Sequence, residues 1–415
     1  MMGRPVIDQS PPMVKSTAFY NHGGGVVSTD VRSPVREFDI QNYYHQDNDP
    51  FAALREYRDL DPFWCEAYDG FWVFTRYDEC KDIMQDTSLF SHVGAGVPKY
   101  ELEYPLMPSE FDPPYQTKLR SVILPLMTAA KMDRLEPRMH TVCRDLIAGF
   151  KDQGHCDMVT EFARKYPIAI FGDLFGLPVE RREEFRILAE TFLHDLDAQE
   201  AAWNSIRGII KEELEERHKA PRDDMLSGVA HSQIDGVPIE HDVAINLAST
   251  VFLGGLDTLP SNIGWAFRYL AGHPEQRHQL VEKPELAAGA AEEFLRVYPS
   301  VPKTARVAKH DARFHGVDLK GGDAVVGLVS VAHLDAEKFE DPETINFERK
   351  SNRQMAFAVG SHRCLGSHLA RHELEIALQE WHAAIPDYRI PADTKFAYHG
   401  GGVFAMEHLP LEWDV

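Results

Sequence analysis

The sequence predicts one mainly α domain with two small β regions. Most segments between about 117 and 300 place apolar residues at helical spacing, and two short stretches rich in β-branched and aromatic residues flank turn dipeptides. The third observation is that no break in composition marks a linker. At roughly 150 residues per domain the 415 residues would allow two or three domains, so the single-domain expectation rests on that continuity and not on size.

Residues 1–35 are rich in Gly, Pro and Ser, include Gly23-Gly24-Gly25 and show no periodicity; they are expected to form a loosely held arm, leaving 36–415 as the domain. A hairpin is expected where 63–67 and 71–75 flank Asp69-Gly70, a dipeptide suited to a two-residue turn. Amphipathic helices follow at 132–150, 181–193 and 200–217. A long apolar helical pattern over 244–263 is interrupted by Gly254-Gly255-Leu256-Asp257-Thr258. A second hairpin is expected where Gly321-Gly322-Asp323 separates 314–317 from the apolar run 324–331. A meander over 341–353, a helix over about 364–381 and short extended pieces complete the chain.

The net charge of −22, from 43 Lys+Arg against 65 Asp+Glu, argues against nucleic-acid binding, because a polyanion repels such a surface. With 44% hydrophobic and 26% charged residues the composition is that of a globular protein. No run of about 18 apolar residues suggests a membrane span, and the first residues lack an apolar leader core, so the expected compartment is the cytoplasm. Five irregularly spaced cysteines do not suggest a disulfide framework, which leaves room for a free thiolate ligand.

The segment from Phe357 to Gly366 is a glycine-punctuated loop that delivers Cys364 to the start of a helix. A thiol there faces unpaired backbone N–H groups and the positive end of the helix dipole, so it is expected to stay deprotonated and ready to bind a metal. Gly360 and Gly366 would let the backbone approach a large flat group such as a haem. A competing use of the segment is a zinc site from Cys364, His368 and His372. A fourth ligand is not evident, however, and the three are spread along roughly 12 Å of helix.

In the interrupted helix, two glycines cost about 1 kcal/mol each relative to alanine. Either they permit close packing, or they open the helix to a small ligand beside the Asp257 carboxylate and the Thr258 hydroxyl. Pro260 adds to the distortion by removing an N–H and crowding the Leu256 carbonyl. The pattern ExxR occurs at Glu161/Arg164, Glu183/Arg186 and Glu293/Arg296. Only the last lies between the interrupted helix and the cysteine loop.

Together these segments resemble the cytochrome P450 family. Phe357, Gly360, His362, Cys364 and Gly366 match its haem-thiolate signature FGxGxHxCxG, with Ala358 where Gly is usual, and GGLDT matches its oxygen-binding motif. The resemblance implies the cytochrome P450 fold, with the haem between the oxygen-binding helix and the cysteine-loop helix, and makes Cys364 the axial ligand of a haem b (Fe-protoporphyrin IX). Thr258 would then hydrogen-bond the bound dioxygen, and Asp257 would relay protons. It also implies Arg120, Arg306 and His362 at the haem propionates, with Gln116 where many relatives carry histidine, and a structural network of Glu293, Arg296 and Arg349.

Strings outside these motifs, including FHGVxLKxGD from Phe314 and LPLxWD from Leu409, resemble the soluble bacterial camphor hydroxylases. That likeness puts Tyr104, Leu106, Thr250, Leu253, Gly254 and Val403 at the substrate, with Tyr104 donating to a ketone and Gly402 enlarging the pocket. It implies hydroxylation of camphor or a related monoterpenoid or norisoprenoid ketone with O2. Because no GxGxxG opens a βαβ unit and no cysteine cluster suits an iron–sulfur centre, the electrons are expected to come from other proteins, which the resemblance implies are a [2Fe-2S] ferredoxin and its flavin reductase. Lys118, Arg120, Arg363 and Arg371 are candidate docking cations. The alternatives are a non-catalytic haem or terpenoid-binding protein and a zinc-stabilised helical interaction protein.

Overall fold

The helix Ser367–Ala384 packs against Ala129–Ala148 on one side and Ala287–Val297 on another. Its buried face follows the helical spacing, with Leu374, Leu378 and Trp381 turned inward, and Trp381 meets Phe267 edge-on at 5.1 Å and Phe162 at 5.5 Å. This computed structural model describes residues 32–39 and 49–415. Most of the expected arm therefore lies outside the described residues. Its last residues are held against the body: the Arg32 guanidinium makes hydrogen bonds of 2.6 and 2.7 Å to Asp323 and lies 4.0 Å over the Trp64 ring.

The helices expected in the middle of the chain are present as Ala129–Ala148, Arg182–His194 and Gln199–Lys219. The strands differ from expectation in two respects. Phe63–Cys65 and Phe71–Phe74 pair antiparallel with Trp64 opposite Trp72, but the turn centres on Tyr68 and Asp69, both with positive φ, and not on Asp69-Gly70. Gly70 instead closes the turn, its N–H donating to the Ala67 carbonyl at 2.9 Å, and it must be glycine because the Trp64 ring fills the space of a Cβ.

The second hairpin lies wholly within 312–319. Ala312–Phe314 pairs with Val317–Leu319 about His315 and Gly316, the two residues whose positive φ makes the turn. The apolar run after Asp323 becomes Ala324–Gly327, an inner strand between Phe71–Phe74 (parallel) and Thr304–Ala308 (antiparallel), and then the short helix Val329–Ala332. Strands from both β stretches thus meet in one five-stranded sheet, and the other described strands form two-stranded pairs. A strand buried on both faces reads as continuous apolar sequence, which hides its partners.

The interrupted apolar segment forms two helices, His241–Gly254 and Thr258–Gly272, with the break at 255–257. The segment is long and apolar enough to cross a membrane by composition, but most of it is buried within the protein core. Pro260 falls in the first turn of the second helix, where its missing N–H needs no partner.

Candidate active site

The cysteine loop is closed by the Cys364 N–H, which donates to the Phe357 carbonyl at 2.8 Å. Ala358 and Gly360 both have positive φ, 53° and 78°. Glycine suits that conformation, and alanine at Ala358 adopts it with strain. Gly366 caps the following helix, which begins at Ser367, and a Cβ there would sit 3.9 Å from the Cys364 sulfur. The Phe357 ring lies under the Arg371 guanidinium at 4.5 Å, and Arg371 pairs with Glu292.

Two residues expected at the haem propionates brace this loop from the helix Tyr115–Ile123. Gln116 Nε2 donates to the Ser361 carbonyl at 2.7 Å, and an Arg120 amine donates to the Arg363 carbonyl at 2.6 Å. Cys364 is exposed, yet burial raises its thiol pKa against the opposing Gly366 N–H and the charges of Arg120, Arg371 and Arg363. The sulfur therefore opens onto an interior space and not onto bulk water. The expected spontaneous deprotonation does not hold for the free thiol, because the helix starts three residues later and desolvation outweighs its field. A coordinated metal ion would supply the missing charge.

Beside the loop, His362 stacks on His92 with ring centroids 3.5 Å apart. Nε2 of both rings is buried without a hydrogen-bond partner among the described residues. Burial, with the Arg306 charge next, lowers both pKa values, that of His362 to about 4. Arg306 is itself buried, donates at 2.7 Å to Thr304 Oγ1, and is pushed down to about 9 by desolvation. Asp112 is the carboxylate whose charge acts on Arg306 and His362. It accepts from Ser91 Oγ and the His92 N–H and pairs with Lys309 at 3.0 Å, so its capacity is taken. A buried group of donors lacking an anion is the arrangement that a dianionic porphyrin edge would complete.

Across the interior, the helix break gives its two glycines different roles. A Cβ at Gly255 would reach the Phe171 ring at 2.8 Å, whereas nothing lies within 4 Å of one at Gly254. Close packing explains the first glycine and an opening explains the second. Thr258 Oγ1 donates to the Gly254 carbonyl at a long 3.4 Å, which leaves the hydroxyl weakly held. Asp257 Oδ2 accepts from His194 Nε2 at 3.1 Å.

A cavity of about 920 Å³ lies beside the His92 and Arg306 side chains, and Leu106 and Gly402 are among its walls together with Lys303 and Phe192. Leu253 and Val403 are buried, and the Thr250 hydroxyl donates back to the Asn246 carbonyl at 2.9 Å. Tyr104 is not part of the cavity wall: the Arg207 guanidinium covers its ring at 3.3 Å, and its carbonyl accepts from Trp203 Nε1.

Glu293 and Arg296 form a bidentate pair at 2.8 and 2.9 Å, with Arg349 Nε on the same carboxylate at 2.9 Å. Burial raises the Glu293 pKa, but the Arg296 hydrogen bond and charge, with Asn346 N–H and Arg349, bring it below the usual carboxylate range. His333 ties this network to the cysteine loop: Nδ1 donates to the Arg296 carbonyl at 2.7 Å and Nε2 accepts the Met355 N–H at 2.6 Å.

Sequence reasoning did not single out His92, His194, His333 or His399. Each is an isolated histidine with no motif around it, and its partners lie far away in sequence. Among the described residues no three His, Cys, Asp or Glu side chains converge as a metal-binding group, so Cys364, His368 and His372 do not form the zinc site considered above.

The cytochrome P450 family model matches residues 185–381. Probable cytochrome P450 127A1 of Sinorhizobium fredii (strain NBRC 101917 / NGR234) is 33% identical, covering 88% of this chain and 90% of the relative. The crystal structure of CYP101C1 superposes with a TM-score of 0.84 at 30% identity, covering 92% of this chain and 98% of that one. That of CYP101J2 gives 0.83 at 31%, covering 92% and 97%. Both carry the CYP101 designation. A family that carries haem and draws electrons from redox partners accounts for the unpaired nitrogens and the inward-facing sulfur, and the chain belongs to it: this protein is a cytochrome P450 monooxygenase.

Proposed function

We propose that the protein is a cytoplasmic enzyme that binds haem b through Cys364 and hydroxylates a small terpenoid ketone, drawing electrons from a [2Fe-2S] ferredoxin and its reductase. The observation that carries this reading is the inward-facing Cys364 sulfur beside the unpartnered Nε2 atoms of His92 and His362. The likeness of the sequence to the camphor hydroxylases supports the substrate class, and the two solved CYP101 neighbours agree with that subfamily.

When bound, the haem supplies the oxygen activation. The chain's own residues do the rest. Gly366 N–H and the nearby arginines would offset the charge of a Cys364 thiolate held as the haem's sulfur ligand. Arg306, His362 and His92 would hold the haem's propionates, while Gln116 and Arg120 fix the loop that carries the sulfur. Thr258 Oγ1, released from its weak bond to Gly254, positions a proton at the oxygen site, and Asp257 replenishes it. Leu106, Leu253, Gly254 and Val403 shape the apolar pocket and exclude water.

Titration of the ferric holoprotein with camphor and with an ionone tests the substrate class. A low-spin to high-spin change identifies a ligand that displaces water from iron. An unchanged spectrum with both would remove the small terpenoid ketones as substrates.

A further inference from the structure

We infer that His194 and His399 form the proton entry to Asp257, an assignment that rests on the monooxygenase reading and adds to it the route by which solvent protons arrive. His194 ends the helix Arg182–His194 and donates to Asp257 Oδ2 at 3.1 Å. The His399 ring, in the strand Tyr398–His399, lies 4.7 Å from that of His194, and its Nε2 faces Glu407 Oε1 at 3.4 Å. Side-chain exposure rises along this series, from 13% at Asp257 and 14% at His194 to 31% at His399 and 45% at Glu407. The series therefore leads from the partly buried carboxylate to the surface.

A cavity of about 100 Å³ lies between Asp257, His194 and His399. One water needs roughly 10–15 Å³ of such space, so several can stand between the two rings and bridge them. Asp257, Arg164 and Glu190 are the other charged groups in its wall. Glu190 is held by Arg164 at 3.2 Å and Arg186 at 2.5 Å, while Asp195, next to His194, accepts from the backbone of Asp197 and Ala198. With those carboxylates engaged, the two imidazoles are the groups in the wall that can both accept and donate a proton through their ring nitrogens. Burial, and next the neighbouring His194, lower the His399 pKa, so His399 is readily neutral and able to accept a proton from water.

The transfer involves no change in oxidation state. A proton on His194 Nε2 passes to Asp257 Oδ2, His194 regains one from the cavity water, and that water regains one from solvent through His399. Solvent thus supplies the two protons that accompany the two electrons when one oxygen atom leaves as water.

Two measurements test the assignment. In the ferrous carbonyl holoprotein with labelled histidine, the NMR titration midpoint of His399 should rise in His194→Gln and fall in Asp257→Asn. Midpoints unmoved by both substitutions would overturn the relay. In turnover with camphor or an ionone, His194→Gln and His399→Gln should slow oxidation on the order of tenfold to 100-fold, enlarge the solvent isotope effect and flatten the decline in rate as pH rises through the His399 titration. Slowing that is equal at every pH, with an unchanged isotope effect, would mean a packing role only and would also overturn it. Failure of the monooxygenase reading would register separately, as a missing thiolate-type carbonyl band, while the His399 titration does not depend on haem ligation.

Discussion

The imidazoles of His92 and His362 stack 3.5 Å apart with both Nε2 atoms buried and unpartnered among the described residues. Burying two such nitrogens costs stability unless a ligand accepts from them. The pair is therefore costly to the haem-free fold and useful to the haem-bound one. His92→Phe should leave the haem-free protein at least as stable in urea, while haem leaves the holoprotein about tenfold faster, the equivalent of roughly 1.4 kcal/mol. Haem loss at the native rate would remove His92 from the propionate site.

Ala358 stands at φ 53°, a conformation that costs a side-chain-bearing residue about 1–2 kcal/mol. Ala358→Gly removes that strain and gives back part of it as backbone entropy. Thermal unfolding of the holoprotein should show a net gain of about 1 kcal/mol with an unchanged haem spectrum. A lower midpoint would mean that the alanine methyl packs usefully.

Glu293 carries two arginines and the Asn346 N–H in a fully buried setting. Glu293→Gln leaves Arg296 and Arg349 without their counter-ion, and breaking such a pair costs about 3–5 kcal/mol. The variant should unfold at much lower urea and incorporate little haem, because His333 links this network to Met355. A cost below about 1 kcal/mol would show that the network does not support the loop.

Burial holds His333 neutral, with its pKa pushed down to about 3. Below the ordinary histidine pKa of about 6.5, the unfolded chain binds a proton that the folded chain refuses, so stability falls as pH falls toward the folded value. Other groups titrate too, and Glu373, whose pKa burial raises, acts in the opposite direction. The difference between wild type and His333→Gln isolates the one histidine. Between pH 6.5 and 4 the wild type should lose about 1.4 kcal/mol more per pH unit than the variant. Parallel profiles would contradict the neutral, doubly bonded His333.

The cysteine loop and the broken helix were legible because their chemistry lies in consecutive residues: Gly360, Cys364 and Gly366 on one side, Gly254 to Thr258 on the other. Glu293 and Arg296 were separable from two other ExxR pairs only by their order along the chain. His92, His194 and His333 were not legible, since each acts on a partner at least 20 residues away and carries no local pattern. The strand partners of Ala324–Gly327 were hidden for the same reason. Gly70 misled because its requirement comes from the Trp64 ring and not from the turn it closes.

The central claim is that Cys364 is the sulfur ligand of the haem. Reduction of the holoprotein under carbon monoxide tests it most directly. The account predicts the red-shifted band of a thiolate-ligated ferrous haem in the wild type, replaced in Cys364→His by the shorter-wavelength band of nitrogen ligation. A wild type showing only the shorter-wavelength band, or a Cys364→His variant that keeps the thiolate band, would contradict it.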